Sequence, residues 1–128
     1  MIASDIMTRR VCHTSPQANI QEVARLLVKE RISGVPVIDN TSHQLVGMIT
    51  EADIIMHLDR DDLKVNEIMT RNLITVEEDT PVSAIAALLT ERHIKRVPVV
   101  QAGQVVGIVS RADIVQAVAT GHLVIREW

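Results

Sequence analysis

The sequence predicts an α/β (α+β) fold in which a β-α-β-β-α unit occurs twice. The first observation is an internal repeat: Ile-Met-Thr-Arg at 6–9 recurs at 68–71, and Val-Pro-Val at 35–37 recurs at 97–99. The second is composition: 47% of the residues are hydrophobic, and nearly all of these are aliphatic because Phe and Tyr are absent. Since a repeat of this kind indicates a duplicated supersecondary unit, we expect two copies related by a pseudo-two-fold axis.

The first long helix of each copy is predicted from apolar residues at helical spacing. These residues are Ile20, Val23, Ala24, Leu26 and Leu27 in the first copy, and Val82, Ile85, Ala86, Leu88 and Leu89 in the second. In the second copy Pro81 stands where a first helical residue is expected, with Thr80 as its cap. We expect the two helices to end near Ser33-Gly34 and Lys95-Arg96.

Short strands are predicted on both sides of this helix. Leading strands are expected at 11–13 and 73–75. After the helix a proline opens a β-rich run at 35–38 and at 97–100, since proline is tolerated at the start of a strand. Ala102-Gly103 then predicts a tight antiparallel hairpin in the second copy.

The first copy has a longer loop at 39–43 in place of that hairpin, before a strand at 45–49. Second helices are expected at 52–58 and 112–120. The predicted organisation has four parts: a first repeat at 1–58, a charged linker at 59–65, a second repeat at 66–120 and a C-terminal tail at 121–128.

Composition disfavours several classes of protein. The net charge of −3 and the single Trp leave neither a basic surface nor stacking rings for nucleic acid. No apolar run approaches the ~20 residues of a membrane helix, and the N-terminus does not resemble a signal peptide. A lone Cys12 cannot form an intramolecular disulfide, so a cytoplasmic location is the expectation.

The candidate functional motifs are Thr50-Glu51-Ala52-Asp53 and Ser110-Arg111-Ala112-Asp113, each where a strand meets a helix. One interpretation is a helix cap, with the hydroxyl and the acid three residues later satisfying free N–H groups. The other is a nucleotide site: the helix N-terminus and the hydroxyl suit a phosphate, and the carboxylate can accept both hydroxyls of a ribose. The two roles are compatible.

Two glycines precede these motifs inside predicted strands, Gly47 and Gly107. Such glycines mark a bulge or a close backbone approach, and tight packing over the strand explains them equally well. The basic pair Lys95-Arg96 lies at the same predicted edge as the junctions, where a phosphate could bind.

The duplicated pattern of Ile-Met-Thr, a helix, Val-Pro-Val and then Val-Gly-x-x-Ser/Thr-x-x-Asp resembles the cystathionine β-synthase (CBS) domain. Two such domains in tandem are known as a Bateman module, and the resemblance covers the chain from about 4 to 120. It implies a pseudo-two-fold pair of three-stranded sheets, with helices on one side. It also implies two clefts similar to known sites for AMP, ADP, ATP or S-adenosylmethionine. In such modules the Ser/Thr meets the phosphate, the Asp holds the ribose, and aliphatic side chains surround the base.

The resemblance assigns to each cleft a junction pair from one copy and lining residues from the other. The first cleft takes Thr50, Asp53, Thr80, Ile94 and Lys95. The second takes Ser110, Asp113, Ala18, Ile32 and Ser33, with Ile108 beneath the base. Arg96 would face the phosphates. Glu51 stands where Arg111 stands in the second motif, and an acid there disfavours a polyphosphate in the first cleft.

Two other functional classes are an enzyme and a pure interaction module. The five histidines lack metal-ligand spacing and no acid-base pair stands out, so we expect neither catalysis nor a bound metal. The resemblance to CBS domain pairs implies a homodimer through the second helices, whose apolar residues offer a surface for it. We expect no effector domain among these residues, so a signal would pass to an unknown partner protein. The tail at 121–128 either packs across the dimer or frays.

Overall fold

The computed structural model describes residues 1–60 and 62–122. The chain forms two compact units, which we call the continuous unit (12–73) and the split unit, in which 1–11 join the chain from 74 onward. In chain order the elements are α1 (Ala3–Ile6), α2 (Ile20–Glu30), β1 (Gly34–Ile38), β2 (Leu45–Thr50), α3 (Glu51–Ile55), α4 (Val65–Ile68), α5 (Val82–Glu91), β3 (Arg96–Gln101), β4 (Gln104–Ser110) and α6 (Arg111–Ala119).

The units do not follow the sequence repeats. The first eleven residues belong to the first repeat by sequence, yet they pack with the second repeat. The Ile-Met-Thr segment of the second repeat, at 68–70, likewise belongs to the continuous unit. The repeat boundaries predicted from the sequence therefore describe the duplication and stay a prediction, whereas the compact units are a different division of the chain.

The α2 helix begins as its sequence suggests and ends earlier than predicted. The side chain of Asn19 accepts a hydrogen bond from the backbone N–H of Glu22 at 2.8 Å, which caps the first turn. Arg31 closes the helix in the left-handed region, with φ of 55°. Ser33-Gly34 was the wrong place for the end, because an arginine rather than a glycine adopts the left-handed conformation.

The α5 helix differs from the prediction at both ends. It begins at Val82, with extended Pro81 before it. Thr80 does not cap it, because the Thr80 hydroxyl accepts a hydrogen bond from the Glu77 N–H at 2.9 Å. The helix ends at Glu91, and His93 takes a left-handed φ of 54°. Lys95-Arg96 was therefore also too late for a helix end.

Each unit contains an antiparallel hairpin, β1 with β2 and β3 with β4. The predicted tight turn is confirmed: Ala102 and Gly103 have φ of 53° and 79°, as a type I′ hairpin requires. The longer loop of the first copy is also confirmed, since β1 ends at Ile38 and β2 begins at Leu45.

Pro36 lies third in β1 and does not open the strand. It faces Met48 of β2, whose N–H and C=O bond to Thr70 on the opposite edge. Proline is tolerated there because its missing N–H points away from β2. On that outer edge the Thr14 N–H donates to the Pro36 carbonyl at 3.1 Å. Pro98 holds the same position opposite Ile108 in β3.

The predicted leading strands at 11–13 and 73–75 were wrong: no strand forms there, and one residue later a single parallel bridge forms in each unit, Thr14 with Val37 and Val76 with Val99. The named sheets therefore have two strands each, where three were implied. The second helices also differ slightly from their predicted bounds. The α3 helix covers 51–55 where 52–58 was expected, and α6 covers 111–119 where 112–120 was expected.

Each unit buries its own aliphatic core. In the continuous unit the buried residues include Ile20, Val23, Leu27, Val35, Val37, Ile49, Leu63, Val65, Ile68 and Met69. In the split unit they include Ala3, Met7, Val76, Ile85, Leu89, Val97, Val99 and Val109. The buried positions of α2 and α5 are all among those that the helical spacing predicted. No helix within 1–60 or 62–122 has the length and apolar character needed to cross a membrane.

Candidate functional site

The junction between β4 and α6 holds Ser110 and Asp113 in a reciprocal cap. Ser110 ends the strand in an extended conformation, so its N–H and side chain face the first turn of α6. The Oδ2 atom of Asp113 accepts from the Ser110 N–H at 2.9 Å and from the Ser110 hydroxyl at 3.1 Å. The Ser110 oxygen in turn lies 3.2 Å from the N–H of Asp113. Both side chains are half-buried.

The junction between β2 and α3 repeats the carboxylate half of this geometry. The Oδ2 atom of Asp53 accepts from the Thr50 N–H at 2.9 Å and from the Thr50 hydroxyl at 3.2 Å, whereas the Thr50 side chain makes no cap hydrogen bond to the helix. The helix-cap interpretation is therefore confirmed in full for Ser110 and Asp113, and for Asp53 only in the role of the acid. The nucleotide interpretation depends on what the other carboxylate oxygen can do, since a cap of this kind uses only one of the two.

That other oxygen, Oδ1, contacts a threonine in both units. The Thr8 hydroxyl donates to Asp113 Oδ1 at 3.2 Å, and the Thr70 hydroxyl to Asp53 Oδ1 at 3.4 Å. Neither threonine was predicted from the sequence to be a site residue. The signal was present, because each closes an Ile-Met-Thr segment and these segments are among the strongest identities between the copies.

Backbone pairing fixes each threonine beside its sheet. In the split unit the Thr8 N–H donates to the Ile108 carbonyl at 2.8 Å, and the Ile108 N–H donates to the Thr8 carbonyl at 3.0 Å. Thr70 and Met48 exchange the same two bonds at 2.8 and 2.9 Å in the continuous unit. Thr8 therefore lies on the outer edge of the β3–β4 hairpin, and Thr70 lies on the outer edge of the β1–β2 hairpin.

The strand glycines make this pairing possible. A Cβ atom on Gly107 would lie 2.5 Å from the sulfur of Met7, and one on Gly47 would lie 2.6 Å from the sulfur of Met69. The prediction of a close approach is confirmed, and a methionine of the Ile-Met-Thr segment makes it. The pairing register also shifts beside each glycine, so a bulge accompanies the contact.

The other predicted site residues are divided between the units. The continuous unit contains Ala18, Ile32, Ser33, Thr50 and Asp53, and the split unit contains Thr80, Ile94, Lys95, Arg96, Ile108, Ser110 and Asp113. The predicted pairing of a junction from one repeat with lining residues from the other stays a prediction.

Within each unit, the residue before the hairpin is tied to the start of the second helix. The Ser33 carbonyl accepts from the Glu51 N–H at 2.9 Å, and the Lys95 carbonyl accepts from the Arg111 N–H at 3.0 Å. The Lys95 side chain is exposed, whereas Ile108 is half-buried. Within 1–60 and 62–122, no three His, Cys, Asp or Glu side chains form a group that could hold a metal ion.

The family model for the CBS domain matches this chain twice, at 3–60 and at 65–120. The chain belongs to the CBS domain family. The double match covers nearly the whole chain and agrees with the repeat and with the fold of each unit.

Two solved structures show the likeness in three dimensions. The CBS domain pair of protein MJ0100, in complex with 5′-methylthioadenosine and S-adenosyl-L-methionine, is 35% identical with a TM-score of 0.86, covering 94% of this chain and 98% of that one. CBSX2 in complex with AMP is 28% identical with a TM-score of 0.84, covering 95% and 98%. Both complexes contain an adenosine-derived ligand.

Among curated relatives, an L-aspartate semialdehyde sulfurtransferase of Methanocaldococcus jannaschii is 38% identical over 114 residues, which is 88% of this chain and 22% of that protein. An inosine-5′-monophosphate dehydrogenase of Staphylococcus haemolyticus is 31% identical over 112 residues, 86% of this chain and 23% of that protein. The chain spans under a quarter of the length of these two enzymes, so the similarity extends to their CBS-like portion only.

Proposed function

We propose that the chain is a regulatory module that senses an adenosine-containing ligand, such as AMP, ADP, ATP, 5′-methylthioadenosine or S-adenosylmethionine. The observation that carries this proposal is the pair of equivalent carboxylates, Asp53 and Asp113. Each has one oxygen used by a helix cap and a second oxygen directed to an exposed threonine hydroxyl. An ionised carboxylate with spare acceptor capacity suits the hydroxyls of a ribose.

The remaining roles follow the predicted assignments. Ser110 and Arg111 would meet a phosphate at the start of α6, and half-buried Ile108 would contact the base. Glu51 takes the place of Arg111 in the other motif, so a polyphosphate would favour the Asp113 site. The lining residues named from the resemblance, including Lys95 and Arg96, are assigned on the same basis. Support comes from the relatives whose structures contain AMP, 5′-methylthioadenosine and S-adenosylmethionine.

Ligand-dependent thermal unfolding tests the proposal. A ligand that binds only the folded chain adds ~2.7 kcal/mol at one hundred times its Kd, which raises Tm by several degrees in a domain of this size. We expect Asp113→Asn and Asp53→Asn each to remove part of this rise, measured against the same variant without ligand. Comparison with the ligand-free variant is needed because each acid also caps a helix.

Asp5→Asn is the matched control. Asp5 also caps a helix, since its Oδ2 accepts from the Ile2 N–H at 2.8 Å, but it lies outside both motifs. It should lower Tm without changing the rise caused by the ligand. If none of the five compounds raises Tm in the wild type, the sensing function is wrong. If the ligand raises Tm by the same amount in both Asp53→Asn and Asp113→Asn as in the wild type, the two acids cap helices and do not bind the ligand.

Output to a partner is the second part of the proposal. A ligand changes a signal only when it binds two conformations with different affinity, and the enzymes that contain a similar portion offer examples of attached domains. Comparing ligand-free and ligand-bound chain in pull-down experiments with a candidate partner measures this difference directly. An unchanged interaction would limit the function to binding.

A ligand-independent interaction module is the second candidate, and one observation favours it. Large apolar side chains are exposed at the end of α3, where Met56 is 79% and Leu58 is 74% exposed, and on α6, where Val115 is 66% exposed. Leu58→Glu and Val115→Glu should convert a homodimer to a monomer in sedimentation, with Val28→Glu as control because Val28 is an equally exposed apolar residue on α2. A wild type that sediments as a monomer would exclude the dimer.

A further inference from the structure

The two oxygens of each site carboxylate are not equivalent. In Asp113, Oδ2 accepts two hydrogen bonds from Ser110, while Oδ1 receives one from Thr8. A carboxylate oxygen has about two acceptor positions, so Oδ1 retains one for a further donor. Asp53 shows the same division, with Thr50 on Oδ2 and Thr70 on Oδ1.

The threonine hydroxyl has spare acceptor capacity as well. A hydroxyl has one proton and two lone pairs, and the proton of Thr8 is directed to the carboxylate. Its oxygen can therefore accept from a second donor. Thr8 and Thr70 are both exposed, so a ligand can reach them. Asp113 Oδ1 and Thr8 Oγ1, which are 3.2 Å apart, form two adjacent acceptors, and a vicinal diol presents two adjacent hydroxyl donors.

The fold holds these acceptors in place. Thr8 exchanges two backbone hydrogen bonds with Ile108, two residues before Ser110, and Met7 is buried against Gly107. The position of the hydroxyl relative to the carboxylate is thus determined by the sheet edge and not by a mobile side chain alone. The continuous unit has the same arrangement around Asp53. It does so although Glu51 follows Thr50 there, whereas Arg111 follows Ser110 in the split unit.

We infer that Thr8 and Thr70 are specificity-determining residues that, together with Asp113 and Asp53, require an intact ribose diol in the ligand. This rests on the proposed binding of an adenosine-containing ligand and adds a selection among such ligands. The carboxylate accepts from the 3′-hydroxyl of the ribose, and the threonine oxygen accepts from the 2′-hydroxyl. A 2′-deoxyribose leaves the threonine without a donor, and a 2′-phosphate places a negative group at the threonine, next to the carboxylate.

Calorimetric titration of the full chain with AMP, 5′-methylthioadenosine and S-adenosylmethionine, each beside its 2′-deoxy counterpart, tests the inference. The wild type should bind the ribose form at least tenfold more tightly than the deoxy form. Thr8→Val and Thr70→Val should each weaken the ribose form about tenfold at one site, the usual effect of a lost hydrogen bond to a charged pair. The deoxy form should weaken much less, so the preference shrinks.

Thr8→Ser keeps the hydroxyl and should restore the preference. Thr90→Val is the control, because the exposed Thr90 hydroxyl donates to the Ala86 carbonyl at 2.9 Å within α5, and it should change neither affinity. Equal weakening of both sugar forms by Thr8→Val would make Thr8 a structural tie and overturn the inference. Wild-type affinity for the ribose form in both Thr8→Val and Thr70→Val would also overturn the inference.

The outcomes separate this inference from the function on which it rests. If the wild type binds none of the ribose compounds, the sensing function fails and the diol requirement fails with it. If the wild type binds but does not distinguish the sugars, sensing stands and the role of the threonines is wrong. If Thr8→Val does not fold, Thr70→Val gives the same comparison in the continuous unit.

Discussion

Replacing Gly107 with alanine should destabilise the split unit through a single contact. The added methyl would lie 2.5 Å from the sulfur and 2.8 Å from Cγ of Met7, both closer than carbon atoms normally approach. Met7 is only 8% exposed, so it cannot turn into solvent without leaving the core. Overpacking of this kind costs ~1–3 kcal/mol. The reduced freedom of the unfolded chain returns ~0.4–1 kcal/mol, so the expected net loss is ~0–2.6 kcal/mol, centred near ~1.3 kcal/mol.

Denaturant unfolding of a double-mutant cycle measures this contact. Met7→Ala alone should cost ~2–5 kcal/mol because it leaves a cavity. In Gly107→Ala/Met7→Ala the new methyl occupies part of that space, so the double variant should be at least ~1 kcal/mol more stable than additivity predicts.

Met69→Ala is the matched control, because Met69 contacts Gly47 and not Gly107. Its effect should add to that of Gly107→Ala without coupling, whereas Gly47→Ala should couple to Met69→Ala. Strict additivity of Gly107→Ala with Met7→Ala would refute the account of how the Ile-Met-Thr segment docks on the strand.

Three further predictions concern local structure. Asn19→Ala should lower the free energy of unfolding by ~1 kcal/mol, seen as a lower denaturant midpoint, because α2 loses its cap. Ala102→Gly should raise the free energy of unfolding by up to ~1 kcal/mol in the same assay, because φ of 53° strains a residue with a Cβ. Hydrogen bonds from the N–H and hydroxyl of Ser42 lower the pKa of Asp39 below its ordinary value of 3.8. Its stabilising contribution is therefore present above that value and is lost as the pH falls through the lowered pKa. Asp39→Asn should flatten the acid side of a Tm-against-pH curve, and an unchanged curve would show that the loop does not use the charge.

Much of the fold could be predicted because it depends on local pattern. Helical spacing identified the buried faces of α2 and α5, and Ala102-Gly103 identified the tight turn. The helix ends could not be predicted in the same way, since Arg31 and His93 take left-handed conformations that sequence normally assigns to glycine or asparagine. At both ends the next backbone N–H bonds back to the helix, Ile32 to the Leu27 carbonyl and Ile94 to the Leu89 carbonyl, each at 3.1 Å, and these bonds offset that preference.

The candidate site was predicted in part. Repetition of the Ser/Thr-x-x-Asp motif identified the acids and their caps, because all partners lie within three residues of one another. Thr8 was not predicted to be a site residue because its partner Asp113 is 105 residues away, and no local pattern encodes a contact of that separation. The duplication did contain a hint: the Ile-Met-Thr segments and the strand glycines both recur, and each methionine lies on a glycine.

The split unit has a consequence for how the protein is made. On the ribosome the residues of the continuous unit are all present once Leu73 has emerged, but Met7 and Thr8 must wait for Gly107 and Asp113. At ~5–20 residues per second, translation takes roughly 5–20 s to advance from Met7 to Gly107. Throughout this interval Met7, which is only 8% exposed in the folded protein, lacks the strand residue Gly107 on which it packs.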